Sequence, residues 1–262
     1  MSRLAAIDRL REVMIALRDP VRGCPWDRVQ TFASIVPHTI EEAYELEAAI
    51  CGAQSSDIRD ELGDLLFQVV FLARIAEERG QFDFDDVANA IADKLVRRHP
   101  HVFAPQDHAA DEIAPADWDA IKAQERSAKG HTSTLDDIPQ ALPALARAAK
   151  LGRRAARVGF DWPDAKAVRC KVAEELDEAD AALAHGEGRE RFAEEFGDLL
   201  FSLVNWARHV GIDPEVALRA ANHKFATRFR AMEEAAALDQ VPFAGAGSDE
   251  WERRWQHAKS RF

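Results

Sequence analysis

The sequence Glu41-Glu42-Ala43-Tyr44-Glu45 is an E-E-x-x-E motif, and Glu61-Leu62-Gly63-Asp64 follows it as an E-x-x-D motif. The same pair recurs later in the chain, as Glu174-Glu175-Leu176-Asp177-Glu178 and then Glu195-Phe196-Gly197-Asp198. Glu42 and Glu61 are 19 residues apart, and the corresponding Glu175 and Glu195 are 20 residues apart. Because residue types and spacing both repeat, we infer two related units in tandem.

Composition and periodicity predict an all-α fold. The chain has 262 residues, of which 47% are apolar and 31% are charged, as is typical of a globular protein. Alternating β-branched runs are scarce, whereas helical periodicity extends along most of the chain. We therefore expect two related four-helix units. Their expected bounds are residues 1–105 and residues 141–262, joined by a connector rich in Asp, Ala and Pro at residues 106–140.

The carboxylates of these motifs lie in the apolar stripes of their helices. At roughly 100° per residue, Glu42 falls on the same face as Ile35 and Leu46, and Glu175 falls on the face of Val168. A buried carboxylate must be protonated, ion-paired or bound to a metal. Four carboxylates from two helices predict a site for a hard cation and suggest phosphate chemistry. The acids of the two motifs are Glu174, Glu175, Glu178, Glu195 and Asp198 in the second unit, and Glu41, Glu42, Glu45, Glu61 and Asp64 in the first.

Several classes of protein are disfavoured. The formal net charge of −12 argues against binding to a nucleic-acid polymer, which needs basic patches. No apolar run approaches the roughly 18 residues that span a bilayer, and the charged N-terminus does not resemble a secretory signal. The three scattered cysteines predict neither a disulfide framework nor a zinc site. We therefore expect a cytoplasmic protein with no membrane partner.

Two further features occur once in each half. A K-x-x-x-R pair, Lys94 with Arg98 and later Lys224 with Arg228, places two cations on one helical face. A turn bearing a tryptophan, Trp26 or Trp162, precedes each E-E-x-x-E motif, and we interpret both tryptophans as core anchors.

Together these motifs closely resemble the MazG family of nucleoside triphosphate pyrophosphohydrolases. The turn Gly23-Cys24-Pro25-Trp26-Asp27 and the segment at residues 97–103, RRHPHVF, add to the resemblance, which covers essentially the whole chain. It implies all-α domains, dependence on Mg²⁺ with Mn²⁺ as a substitute, and homodimerisation. It also implies hydrolysis of NTPs and dNTPs, including ATP, to the monophosphate and pyrophosphate, for nucleotide-pool cleaning or stress control.

The resemblance assigns roles to single residues of the second unit. It implies that the metal ligands are Glu175, Glu178, Glu195 and Asp198, that the triphosphate-binding cations are Lys171, Lys224 and Arg228, and that Trp255 lies at the nucleotide. Arg191 stands where the family pattern has a lysine, which keeps the charge but changes the geometry of phosphate binding. Glu174, about 100° around the helix from Glu175, is our candidate for positioning the attacking water or for binding a further ion.

The first unit keeps the acids of a possible second metal site, Glu42, Glu45, Glu61 and Asp64, but departs from the pattern at the place of Lys171. His38 occupies the place of Lys171, four residues before the second Glu of the motif, and a neutral imidazole supplies less charge there. We therefore predict weak or absent hydrolysis in the first unit. Two alternatives to broad NTP hydrolysis stay open: a narrow dUTP- or dCTP-type diphosphatase on the same helices, and a non-catalytic helical interaction protein whose metal sites are structural.

Overall fold

A computed structural model describes residues 5–52, 54–103, 125, 130, 132–186, 188–239, 243–245 and 247–261. All regular secondary structure within these ranges is helical, which confirms the all-α prediction. The chain divides into two compact units, Met1–Ile121 and Lys122–Phe262, called unit 1 and unit 2 below. The division falls within the predicted connector, most of which lies outside the described residues. The exact domain bounds therefore stay a prediction.

Unit 1 is organised around a hairpin of two long helices. Its described helices are α1 (Ala6–Leu17), α2 (Pro25–Arg28), α3 (Phe32–Gly52), α4 (Ser55–Glu78), α5 (Phe84–Arg98) and α6 (Pro100–Phe103). Helices α3 and α4 pack along each other, and α1 and α5 pack against α4. The E-E-x-x-E motif lies on α3 and the E-x-x-D motif on α4, so the hairpin brings the two motifs side by side.

The core of unit 1 joins α1, α3 and α4. Phe71 of α4 is fully buried, and Met14 and Ile35 pack with it from the other two helices. Burial of a side chain as large as Phe71 contributes roughly 1.5–3 kcal/mol to stability. Arg18, just after α1, closes one edge by bonding to Glu78 at the end of α4, with Nη2 and Oε2 2.7 Å apart. These contacts fix the hairpin that carries the carboxylates.

Unit 2 has a hairpin of the same kind. Its described helices are α7 (Ala144–Ala156), α8 (Ala165–Ala184), α9 (Arg189–His209), α10 (Pro214–Leu238) and α11 (Ser248–Arg261). Helices α8 and α9 pack along each other, α7 packs on α9, and α10 packs on α7 and α11. The carboxylates of Asp164 and Asp213 cap α8 and α10 by accepting hydrogen bonds from backbone N–H groups in the first turns.

Helices α7 and α9 approach closely because Gly152 has no side chain. A Cβ atom at this position would lie 2.3 Å from Oδ1 of Asn205, which is fully buried on α9. Asn205 is held in place by donating to the carbonyl of Phe201 and accepting from Arg208. Gly152 therefore sets the distance between the two helices.

The interpretation of both tryptophans as core anchors is wrong for Trp26. The residue is 50% exposed, and its ring makes an edge-on contact with Phe71 of the core. The physical reason is that the four-residue helix α2 lies at the surface, so that the ring reaches inward on one side only. Trp162 is partly buried.

Both hairpins leave several apolar side chains uncovered. In unit 1 these include Ile40 and Tyr44 of α3 and Leu62 and Leu66 of α4, each between 41% and 51% exposed. In unit 2, Leu176, Leu183, Phe196 and Leu200 of α8 and α9 are similarly exposed. Within the described residues, no helix is long and apolar enough to span a membrane.

Candidate metal and phosphate site

Three predicted carboxylates of unit 2 converge between α8 and α9. Glu175, Glu195 and Asp198 each offer an oxygen atom, and these oxygens lie within 4.8 Å of one another. Glu175 and Glu195 are buried, at 6% and 4% exposure, whereas Asp198 is exposed at the edge. Burial of two neighbouring carboxylates is unfavourable unless cations compensate their charge. We call this group the unit 2 cluster.

Two cations of the same helices supply that compensation. The ammonium Nζ of Lys171 lies 2.6 Å from Oε1 of Glu175, one turn further along α8. Arg191 forms the equivalent pair with Glu195, four residues later on α9. Bonds to Glu174 and then to Glu175 raise the pKa of Lys171 above its ordinary value, so the side chain stays charged at neutral pH. The structure therefore brings both predicted cations to the cluster.

The two other acids of the E-E-x-x-E motif in unit 2, Glu178 and Glu174, lie at the margin of the unit 2 cluster. Glu178 is exposed one turn beyond Glu175. Loss of surrounding water, followed by the negative charge of Glu175, raises the pKa of Glu178, and Glu195 adds to the effect. The negative charges of the unit 2 cluster therefore act on the carboxylate of Glu178. Glu174 is 58% exposed and accepts a hydrogen bond of 2.8 Å from Nζ of Lys171.

The other predicted nucleotide-binding residues lie on α10 and α11. Lys224 is exposed on α10, and one turn later the guanidinium of Arg228 lies 5.9 Å from the ring centroid of Trp255. Trp255 also packs on Phe225, with ring centroids 5.4 Å apart. The structure thus brings Arg228 and Trp255 together. Placement of these three side chains against the unit 2 cluster stays a prediction.

Unit 1 has a corresponding cluster with a different charge environment. Oxygen atoms of Glu42, Glu61 and Asp64 lie within 4.8 Å of one another, and Glu42 and Glu61 are partly buried. The pKa of Glu42 is raised, first by burial and then by the charges of Asp64, Glu45 and Glu61. The pKa of Glu61 is raised, first by burial and then by Glu45 and Asp64. Glu45 itself is exposed. We call the three converging acids the unit 1 cluster.

Gln68 lies next to the unit 1 cluster, and the sequence motifs did not point to it. It is 5% exposed, and its amide nitrogen lies 3.4 Å from Oε1 of Glu42. Its Oε1 and the Oε2 of Glu61 are buried without a hydrogen-bond partner. A glutamine four residues after Asp64, within the buried face of α4, is the signal that could have revealed it, because an amide there needs a polar partner.

The donor sets of both clusters suit a hard divalent cation. All the converging atoms are carboxylate oxygens, the ligands that Mg²⁺ and Mn²⁺ prefer, and in unit 1 the unpartnered oxygens of Glu61 and Gln68 are buried beside them. Unit 2 adds Lys171 and Arg191 next to the carboxylates, an arrangement that can bind both a cation and an oxyanion. Such a combination is typical of sites for phosphate chemistry.

Comparison with known proteins agrees with this chemistry. Residues 30–103 match the family model described as the MazG nucleotide pyrophosphohydrolase domain. Over 255 residues the chain is 50% identical to the nucleoside triphosphate pyrophosphohydrolase of Escherichia coli K12, covering 97% of both chains. It is 42% identical over 252 residues to the nucleoside triphosphate pyrophosphohydrolase/pyrophosphatase MazG of Thermotoga maritima, covering 96% of this chain and 95% of that one. At this identity over nearly the full length, the chain belongs to the MazG family of nucleotide pyrophosphohydrolases.

Proposed function

We propose that this protein hydrolyses nucleoside triphosphates, NTPs and dNTPs alike, to the nucleoside monophosphate and pyrophosphate, and that the reaction takes place in unit 2. The relatives named above support the reaction. The observation that carries the choice of site is the pair of buried carboxylates, Glu175 and Glu195, each joined to a cation at the unit 2 cluster. Unit 1 has carboxylates but lacks these cations.

The unit 2 cluster is the place for a divalent cation. Glu175, Glu195 and Asp198 would hold it, with Glu178 one turn away as the fourth ligand, and Mg²⁺ is the cation we propose, with Mn²⁺ as a substitute. When bound there, such a cation supplies Lewis acidity toward phosphate oxygens and lowers the pKa of a coordinated water.

The chain's own cations would bind the triphosphate. Lys171 and Arg191 lie beside the carboxylates, where their charges can neutralise non-bridging phosphate oxygens. Lys224 and Arg228 would hold the pyrophosphate portion, and Trp255, already in contact with Arg228, would contact the base. Glu174 lies next to Lys171 at the exposed edge, where a carboxylate can accept a hydrogen bond from the attacking water.

Unit 1 is proposed to be weak or inactive in hydrolysis. His38 stands where Lys171 would be, and its Nδ1 lies 3.7 Å from Glu41 rather than beside Glu42. Asp57 stands four residues before Glu61, at the place of Arg191, and adds negative charge. Both differences weaken the attraction for a triphosphate.

The exposed apolar faces of the two hairpins support a homodimer. A second copy would cover side chains such as Leu62 and Leu66, which are 51% and 41% exposed in the single chain. We further propose that the protein acts in the cytoplasm on free nucleotides and, with its net charge of −12, has no affinity for nucleic-acid polymers.

Product analysis by ³¹P NMR tests the proposal. The purified protein is incubated with Mg²⁺ and each NTP or dNTP in turn, next to Glu175→Gln and the matched unit 1 variant Glu42→Gln. We expect monophosphate and pyrophosphate from the wild type and from Glu42→Gln, and a loss of about a hundredfold or more in Glu175→Gln. Orthophosphate as the first product would contradict the proposed reaction. Turnover of dUTP or dCTP alone would replace broad hydrolysis by the narrow diphosphatase.

A further inference from the structure

The two carboxylate clusters differ in what already balances their charge. In unit 2, Nζ of Lys171 lies 2.6 Å from Oε1 of Glu175, and Arg191 is paired with Glu195. Both buried carboxylates are therefore engaged by cations of the chain. A divalent cation that enters must compete with them for the same oxygens, and it meets two positive charges at short range.

In unit 1 the corresponding positions carry no such cations. His38 and Asp57 stand four residues before Glu42 and Glu61, where unit 2 has its lysine and arginine. Among the described residues, no lysine or arginine forms an ion pair with a carboxylate of the unit 1 cluster. The charges of this cluster are thus left for an outside cation to balance.

Buried oxygens without partners give a second, independent indication of a ligand in unit 1. Gln68 is 95% buried (5% exposed) and its amide nitrogen reaches Glu42, yet its Oε1 has no hydrogen-bond partner. Oε2 of Glu61 is also buried and unpartnered. Buried oxygen atoms of this kind are costly unless a donor or a cation satisfies them.

We propose that unit 1 holds a divalent cation in the absence of nucleotide, whereas unit 2 admits its cation together with the nucleotide. In unit 2 the triphosphate draws Lys171 and Arg191 away from Glu175 and Glu195 and so frees the carboxylate oxygens. Cation and nucleotide then strengthen each other's binding, as linkage requires. The part concerning unit 2 rests on the proposed function, whereas the part concerning unit 1 does not.

Counting bound Mn²⁺ by electron paramagnetic resonance tests both parts. The full chain is titrated with Mn²⁺, with and without an NTP analogue whose α–β bridge cannot be hydrolysed. Two double variants are compared. The unit 1 variant combines Glu42→Gln and Glu61→Gln, and the unit 2 variant combines Glu175→Gln and Glu195→Gln. Circular dichroism checks the helical content of both. Without nucleotide, we expect one tight Mn²⁺ per chain, absent from the unit 1 variant and retained in the unit 2 variant. The analogue should add a second Mn²⁺ that the unit 2 variant lacks.

A sharper control removes the cations beside the unit 2 cluster and adds a cation beside the unit 1 cluster. Replacing both Lys171 and Arg191 by Met should raise the nucleotide-free Mn²⁺ affinity of unit 2 about tenfold or more, and His38→Lys should lower that of unit 1 by a similar factor. A nucleotide-free Mn²⁺ that disappears with the unit 2 carboxylates, or equal affinity of both clusters without nucleotide, would overturn the proposal. If the protein did not hydrolyse nucleotides, unit 1 should still bind one Mn²⁺ without nucleotide. The proposed function and the proposed cation of unit 1 can therefore fail independently.

Discussion

Lys171 and Glu175 lie one turn apart on α8, with Nζ and Oε1 2.6 Å from each other. The lysine side chain is 31% exposed and the glutamate side chain 7%, so the ion pair joins a buried acid to a cation that still reaches the surface. This exposure supports the proposal that Lys171 contacts a phosphate oxygen.

Replacement of Lys171 should impair turnover without unfolding the protein. We expect Lys171→Met to lower kcat/KM for NTP hydrolysis by roughly a hundredfold, because the variant lacks a charge that we propose binds the phosphate. Lys171→Arg should retain more activity than Lys171→Met. The matched control is His38→Ala in unit 1, for which kcat/KM should stay at the wild-type value. A large loss in His38→Ala would instead assign the reaction to unit 1.

Asp161 should stabilise unit 2 in a pH-dependent manner. It accepts hydrogen bonds from Arg208, at 2.9 Å from Nη1, and contacts His209 at 2.9 Å. The bonds from Arg208 hold the pKa of Asp161 well below its ordinary value of 3.8. Because the folded pKa is lowered, the stabilisation is fully present above the ordinary pKa and is lost as pH falls through the folded one.

Urea unfolding of Asp161→Asn at several pH values measures this contribution. At pH 7 the variant should be less stable than the wild type by about 1–3 kcal/mol, since the charge-assisted bonds are lost. The difference should shrink as the pH falls below about 4. A difference that stays constant down to pH 2 would show that Asn loses packing rather than charge.

Gly152 should tolerate no side chain. We expect Gly152→Ala to lower the free energy of unfolding by about 1–3 kcal/mol, because its Cβ would meet Oδ1 of Asn205 at 2.3 Å. Gly52, in the last turn of α3, has open space where the Cβ of an alanine would lie. Gly52→Ala should therefore leave stability unchanged or raise it by up to about 1 kcal/mol. Chemical denaturation of both variants checks the contrast.

The apolar face of unit 1 should control the oligomeric state. Leu66→Glu replaces an exposed apolar side chain of α4 by a charge, and we expect it to convert the proposed dimer into monomers at micromolar concentration. The control is Val21→Glu, in the loop after α1, where the side chain is 81% exposed. Light scattering after size exclusion gives the mass directly. An unchanged mass for Leu66→Glu would place the interface elsewhere.

Periodicity predicted the helical class, and it placed Glu175 and Glu195 on buried faces. These features depend on the local geometry of a helix, which fixes the direction of each side chain. Periodicity did not predict that Gln68 reaches Glu42, because that contact depends on how α3 and α4 pack. For the same reason the repeated tryptophan turn did not reveal the exposure of Trp26, which depends on where the short helix α2 lies against the core.

The compensation of charge in unit 2 also follows from the sequence in part. Lys171 and Arg191 each precede their glutamate by four residues, a spacing that favours an ion pair on a helix. The resemblance assigns Lys171 to the triphosphate, and its position one turn before Glu175 also predicts that it lies beside the metal site. The strength of its pairing with Glu175 depends on the burial of that carboxylate, which is a tertiary property.

The uncovered apolar faces of the hairpins bear on how the protein reaches its native state. The core around Phe71 is complete within one chain, so α1 and the adjoining turns of α3 and α4 can form in a first-order step. In the proposed homodimer, Ile40 and Leu62 become buried only when two chains associate, which is a second-order reaction. Refolding after dilution from denaturant should therefore show a slow phase whose rate rises with protein concentration.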